Sequence, residues 1–304
     1  MESSDGNSFA PFAQLIADEK SWIKGALIGP GSLGKVYLGM NASHGLLMAV
    51  KQVELEPAAD HGSPHEHIQD EEQGSEKRLS STKVLALERE IMERLTSFEH
   101  QNLVQYLYTS REEDSGSQFL NIFMEYIAGG SVSALLRDYG AFEEPLAKNF
   151  TSQILQGLKY LHEMGLIHRN IKSSNILVGN SGGVKISDFG MSEFKKVDDQ
   201  HSVFWMAPEV VKQSANITAK ADIWSVGCLV VEMLAGKRPW AELTPLQAIF
   251  QIGSGVIPTM PSDSPAQVTD FLQQTLRIDQ ETRPEVNTLL LEAWINKDTS
   301  EATE

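Results

Sequence analysis

The chain has 304 residues, enough to bury one large domain or two lobes, and its 41% hydrophobic and 8% aromatic content fits a globular fold. A net charge of −16 argues against a nucleic-acid or anionic-membrane surface, since both need a basic face. The single cysteine, Cys228, excludes an internal disulfide and points to a reducing compartment. No apolar run reaches membrane-spanning length, and residues 1–10 lack the basic flank and apolar core of a secretory leader, so no membrane insertion and a cytoplasmic location are expected.

Residues 1–20 are weakly patterned and read as an arm. From Trp22 to Val53, alternating β-branched residues punctuated by glycine predict three strands. Residues 54–80 hold Asp, Glu, His, Gly and Pro with few large apolar side chains, the composition of an acidic flexible insert. Val84, Leu87, Ile91 and Leu95 recur at helical spacing, and Leu103–Tyr108 and Phe119–Ile127 predict two more strands. After Gly129-Gly130 the texture changes. Helical patterns follow at Ser131–Asp138, Pro145–Met164, Ala221–Leu234, Pro245–Ile252 and Ala266–Leu276, joined by loops rich in Gly, Pro and Asp. A strand-rich part over residues 21–127 and a helix-rich part over residues 128–297, with a tail at 298–304, define an α+β architecture in two lobes.

Four strings carry chemistry. Gly29-Pro30-Gly31-Ser32-Leu33-Gly34-Lys35-Val36 spaces glycines so that backbone N–H groups can close over phosphate. Alone it is as well explained by a chance Gly-rich turn. A dinucleotide loop would need a following helix, whereas Val36-Tyr37-Leu38 continues as strand. Lys51, in the apolar strand Met48-Ala49-Val50-Lys51, either faces solvent or meets an anion. Glu90 is the best placed of Glu88, Glu90 and Glu93 to pair with it from the helix. Asp188-Phe189-Gly190 lies 13 residues beyond Asn175 and precedes Ala207-Pro208-Glu209, a spacing that chance does not explain. His168-Arg169-Asn170-Ile171-Lys172 with Ser173-Ser174-Asn175 completes the set.

Taken together, these strings resemble a protein kinase domain over roughly residues 20–297, with an N-lobe antiparallel sheet plus one helix and a mostly helical C-lobe. Lys172, two places after position 170, is similar to the serine/threonine rather than the tyrosine kinases. Trp22-Ile23-Lys24-Gly25, Leu120 to Tyr126, Gly183 to Asp188, Ser202 to Val211 and Gln247 to Phe250 resemble the fungal MAP kinase kinase kinases of the mating and osmotic-stress pathways. The resemblance implies ATP and Mg2+ as ligands, with Asn175 and Asp188 on the metal and Gly29, Gly31, Gly34 and Lys51 on the phosphates. It places Met124 beside the adenine, backbone at Glu125 and Ile127 on the base, and Ile28, Val36, Ala49 and Leu177 around it. The implied partner is a MAP kinase kinase or another kinase of the cascade. Asp222, in Asp222-Ile223-Trp224, resembles the aspartate that braces the catalytic loop, and Arg283 the partner of Glu209.

One position breaks the pattern. The family's catalytic base is an aspartate, and this chain has Asn170 there. An amide oxygen can orient a hydroxyl but a neutral amide cannot take its proton. A positioned base is worth about 10²–10⁴ in rate, which leaves two expectations: a kinase with impaired transfer, or an ATP-binding pseudokinase acting through its surface. The segment Met191–Met206 is also short, with Ser192 and Ser202 as its hydroxyl residues and His201 replacing a glycine of the family.

Overall fold

The computed structural model describes residues 21–31, 33–56, 81–114, 116–190, 202–262 and 264–296. The arm at 1–20, most of the insert at 54–80, the stretch 191–201 with Ser192 and His201, and the tail at 298–304 lie outside the described residues. The chain divides into two compact units, one including 21–99 and 105–126, the other including 100–104 and 127–296.

Among the described residues, the first unit is a five-stranded antiparallel sheet in the order β1-β2-β3-β5-β4 with one α-helix. Its strands are β1 (Trp22–Pro30), β2 (Lys35–Asn41), β3 (Leu47–Glu54), β4 (Tyr106–Asp114) and β5 (Ser117–Glu125), and its helix is α1 (Ser81–Glu93). Alternation along β3 sends Met48 and Val50 to one face, where they form a cluster with Tyr108 and Phe123. The Tyr108 and Phe123 rings stack at 4.1 Å, and Trp22 meets Phe123 edge-on at 5.6 Å. Further along, the same face becomes polar. Lys24 Nζ donates to Gln52 Oε1 at 2.8 Å, Gln52 Nε2 to Asn121 Oδ1 at 3.1 Å, and Asn121 Nδ2 to Glu112 Oε2 at 2.6 Å. A one-residue slip would throw these groups onto the opposite face, so the ladder fixes strand register. Helix α1 buries Val84, Leu87 and Ile91, the periodic residues seen in the sequence, and packs on β4.

Strand β4 begins later and runs further than the predicted Leu103–Tyr108. Leu103 instead bridges Ile186, and Val104 donates its N–H to the Ile186 carbonyl, both within the second unit. The strand continues through Arg111-Glu112-Glu113-Asp114 because β4 is an edge, where charged side chains can stand in water.

The second unit is mainly helical: α2 (Val132–Tyr139), α3 (Glu144–Glu163), α4 (Pro208–Val211), α5 (Lys220–Ala235), α6 (Pro245–Gly253), α7 (Ala266–Thr275) and α8 (Val286–Leu289). A small hairpin, β6 (Ile176–Val178) with β7 (Val184–Ile186), stands among them. Ser131 caps α2 by accepting the Ala134 N–H, and Thr244 with Gln247 forms a capping box on α6. Helix α5 is buried from Ala221 to Met233, which makes it the central helix against which α3 and α7 pack.

Candidate active site

In the first unit, the β2–β3 register sets Val36 opposite Lys51, and the β1–β2 register sets Gly29 opposite Val36. Ala49 lies opposite Met124 in the β3–β5 pair. Ile28, at the end of β1, is exposed. The Lys51 side chain is 1% exposed, so its ammonium is held away from bulk water. The Gly31 N–H closes the glycine turn on the Gly34 carbonyl at 2.6 Å. A Cβ at Gly31 would lie 2.6 Å from Lys51 Cε, and one at Gly34 would lie 2.0 Å from the Gln52 carbonyl oxygen. Those two positions therefore accept only glycine, and the turn is laid tightly on the strand that carries Lys51. Gly29 has nothing within 4 Å of its would-be Cβ. Glu125 donates its N–H to the Gln105 carbonyl at 3.0 Å and accepts the Gln105 N–H on Oε1 at 2.8 Å, which anchors the end of β5.

Each of the three helical glutamates has a cation. Glu88 takes Arg111 of β4, Glu93 takes Arg89, and Glu90 takes Arg94, just past the end of α1, at 3.1 Å. Burial separates them: Glu88 and Glu90 are half-buried, and Glu93 stands in water.

In the second unit, the loop around position 170 is held by its backbone. Asp222, at the start of α5 and fully buried, accepts the His168 N–H on Oδ2 at 2.8 Å and the Arg169 N–H on Oδ1 at 2.7 Å. His162 Nε2 lies 2.9 Å from the same Oδ2. Arg169 is thereby kept at φ 62°, a left-handed backbone that a side-chain-bearing residue adopts only under such constraint. The Asn170 N–H donates to His168 Nδ1 at 3.1 Å, so the ring carries its proton on Nε2, 2.9 Å from the Ser187 carbonyl.

Around position 170 the groups are donors. Lys172 Nζ donates to Ser202 Oγ at 2.6 Å, and Ser202 Oγ donates to Asn170 Oδ1 at 3.2 Å. Asn170 Nδ2 is shielded from solvent with no hydrogen-bond partner among the described residues. A carboxylate here would present two acceptors; the amide substitutes a donor that has no partner among the described residues.

Asn175 donates Nδ2 to the Asn170 carbonyl at 2.8 Å, which leaves Oδ1 as the oxygen a cation could take. The chain returns through Ser187, whose N–H and Oγ both donate to the Asn175 carbonyl, and Asp188 follows at φ 64° with Phe189 fully buried behind it. Leu177 lies on β6 and bridges Ser131, while Ile127 opens the segment that leads into α2. Oxygen donors on Asn175 and Asp188 suit magnesium, which binds few protein ligands and completes its shell with phosphate and water. Among the described residues no group of three or more His, Cys, Asp or Glu side chains could hold a metal by themselves.

The second expected brace is present as well. Arg283, 1% exposed, pairs with Glu209 through Nη1–Oε1 at 2.7 Å and Nη2–Oε2 at 3.2 Å. Cys228 is fully buried, and burial pushes its thiol far above the ordinary range, so it is inert packing.

The sequence reading passed over Glu232. This α5 carboxylate accepts Ser173 Oγ–H on Oε1 at 2.7 Å and Trp205 Nε1–H on Oε2 at 2.9 Å. Burial raises its carboxyl to about 7, against the lowering effect of those bonds. The available signal was a lone acid within the apolar run Trp224–Leu234.

A glycine turn laid on a buried lysine, and a loop braced through its backbone by a buried aspartate, are each features that protein kinase domains require. Residues 22–295 match the protein kinase domain family, and the chain belongs to it. Its curated relatives include fungal MAP kinase kinase kinases. The kinase MST11 of Pyricularia oryzae is 46% identical over 295 residues, covering 91% of this chain and 30% of that protein. Serine/threonine-protein kinase STE11 of Saccharomyces cerevisiae is 43% identical over 311 residues, covering 92% of this chain and 42% of the relative. Serine/threonine-protein kinase BCK1/SLK1/SSP31 of the same yeast is 42% identical over 284 residues, covering 90% and 18%. The chain thus spans less than half the length of each of these relatives. No helix among the described residues is long and apolar enough to cross a membrane.

Proposed function

We propose that this chain is a Mg·ATP-binding serine/threonine kinase domain of the MAP kinase kinase kinase type, whose transfer of phosphate to a MAP kinase kinase is slowed by Asn170. In the first unit Lys51 holds phosphate, Gly31 and Gly34 let backbone approach it, and Glu90 anchors Lys51 after exchanging its Arg94 partner. Ile28, Val36, Ala49 and Met124 border the adenine on the same unit, with Glu125 offering backbone to the base. Ile127 and Leu177 play the corresponding parts on the second unit, where Asn175 and Asp188 hold the metal. Magnesium held by these residues would supply neutralisation of the phosphate charge. Lys172 and Ser202 orient the acceptor hydroxyl beside Asn170, whose oxygen can accept its hydrogen bond but not its proton. A cytoplasmic site of action fits the single buried cysteine.

The observation that carries this reading is the arrangement at position 170: Lys172 donates to Ser202, Ser202 donates to the Asn170 amide oxygen, and the amide nitrogen has no partner among the described residues. The same observation favours a second reading, a pseudokinase that binds nucleotide and acts on a cascade kinase through its surface. Titration with Mg·ATP, and transfer to a MAP kinase kinase, should be measured for this chain and for Asn170→Asp. Both proteins should bind nucleotide, and the aspartate should raise transfer at least roughly tenfold. Transfer by the unmodified chain at ordinary kinase rates of about 1–100 per second would remove the slowed-kinase and pseudokinase readings together. Loss of nucleotide binding would remove the whole proposal.

A further inference from the structure

Three large apolar side chains stand side by side in water on the first unit. The β1–β2 register sets Ile23 opposite Met40, and the β2–β3 register sets Met40 opposite Leu47. Residues directly opposite each other in neighbouring strands share a face, so the three form one continuous row, about 10 Å across at the usual strand spacing. Ile23 is 53% exposed, Met40 36% and Leu47 46%. By alternation along β3 the row lies on the face that also carries Ala49 and Lys51, opposite the packed cluster of Met48 and Val50. Apolar side chains scattered singly over a surface need no explanation, but a contiguous row is a contact surface in search of a cover.

We propose that the row formed by Ile23, Met40 and Leu47 is the docking surface for residues 9–16 of this same chain. Those residues, Phe9-Ala10-Pro11-Phe12-Ala13-Gln14-Leu15-Ile16, hold no charge and carry four large apolar side chains, whereas 2–8 and 17–20 carry none. They match the row in character, since it too holds no charged side chain. The tether is short. Ser21 accepts the Ala42 N–H at 3.1 Å, so the chain meets the sheet two residues before Ile23, at the end of the row. Residues 17–20 span at most about 14 Å when extended, enough to lay Leu15 and Ile16 across all three strands. A tether of that length gives an effective concentration on the order of millimolar, so modest apolar contact suffices to hold the segment down. A second copy of the chain would have no such help, and it would have to approach against the repulsion of two molecules carrying −16 each. The docking concerns the first unit alone and does not depend on whether the chain transfers phosphate.

Paired cysteines test the docking in the full chain, because Cys228 is buried and its thiol inert. Leu15→Cys is combined with Leu47→Cys in one variant and, in another, with Leu85→Cys, a comparably exposed position at 59% on α1. Under mild oxidation of dilute protein, the disulfide joining 15 to 47 should form within one chain at least tenfold faster than that joining 15 to 85. Equal rates at the two positions would overturn the docking. Disulfide-linked dimers as the main product at position 47 would also overturn it, by making the row an interface between copies. A second measurement needs no cysteine. Amide hydrogen exchange over 22–30 and 35–41 is compared between the parent and the double variant Leu15→Ser, Ile16→Ser. Both substitutions lie outside the core of the sheet, so the fold is preserved while the apolar contact is lost. Exchange in both segments should rise at least threefold, and unchanged exchange in both would overturn the proposal.

Discussion

Replacing Glu232 by glutamine should flatten part of the chain's pH–stability profile, by an amount the structure sets. The carboxyl is buried and sits at about 7, against an ordinary 4.5 in the unfolded chain. Below pH 4.5 it is protonated in both states and costs nothing. Between 4.5 and 7 the unfolded chain releases this proton while the folded chain keeps it, so the unfolded state binds fewer protons and stability falls as pH rises. Above about 7 both states are ionised and the loss is complete. At roughly 1.4 kcal/mol per pH unit the whole loss is about 3 kcal/mol, most of it between pH 5 and 8. Glutamine cannot ionise and keeps the shape, so its stability relative to the parent should rise by about 2–3 kcal/mol over that interval. Urea unfolding followed by tryptophan fluorescence at several pH values, for parent and variant side by side, measures this directly. Taking the difference cancels the other titrating groups. Parallel profiles would show that the carboxyl is ionised throughout and that burial does not govern it.

Glu209→Ala should cost about 3–5 kcal/mol, because the Arg283 charge is left buried without its carboxylate; thermal unfolding reads the loss. Gly34→Ala should destabilise the first unit by about 1–3 kcal/mol, since the added methyl meets the Gln52 carbonyl at 2.0 Å. It should also weaken Mg·ATP binding in a fluorescence titration. Gly29→Ala, with open space around it, should stay within about 0.5 kcal/mol of the parent. Equal damage at the two glycines would mean that the turn's close approach to β3 is not what demands them.

Much of the architecture was legible because it depends on short-range pattern. Val84, Leu87 and Ile91 gave α1 by their spacing, and Met48 and Val50 marked the covered face of β3 by alternation. Strand β4 was misplaced for a physical reason: Leu103 and Val104 look like the start of a strand, yet they belong to the second unit and pair with Ile186 there, while Arg111–Asp114 are charged and still paired. No local pattern carries that information. At the candidate site, Lys51, Asn170, Asn175 and Asp188 stood out because the strings that hold them resemble those of protein kinases. Glu232 did not, because its partners Ser173 and Trp205 lie 59 and 27 residues away in the chain. The ion pair of Glu90 with Arg94 was equally hidden among three glutamates of similar spacing.

Asp222 grips the main chain at His168 and Arg169, and nothing in that grip passes through the side chain at position 170. Shape and reactivity at this loop are therefore separable: the scaffold can survive the loss of its proton acceptor without slackening. A lineage could silence such a domain by one nucleotide change and keep its surface for binding. The same independence means that a single reverse step could return the chemistry to a loop already in the right form.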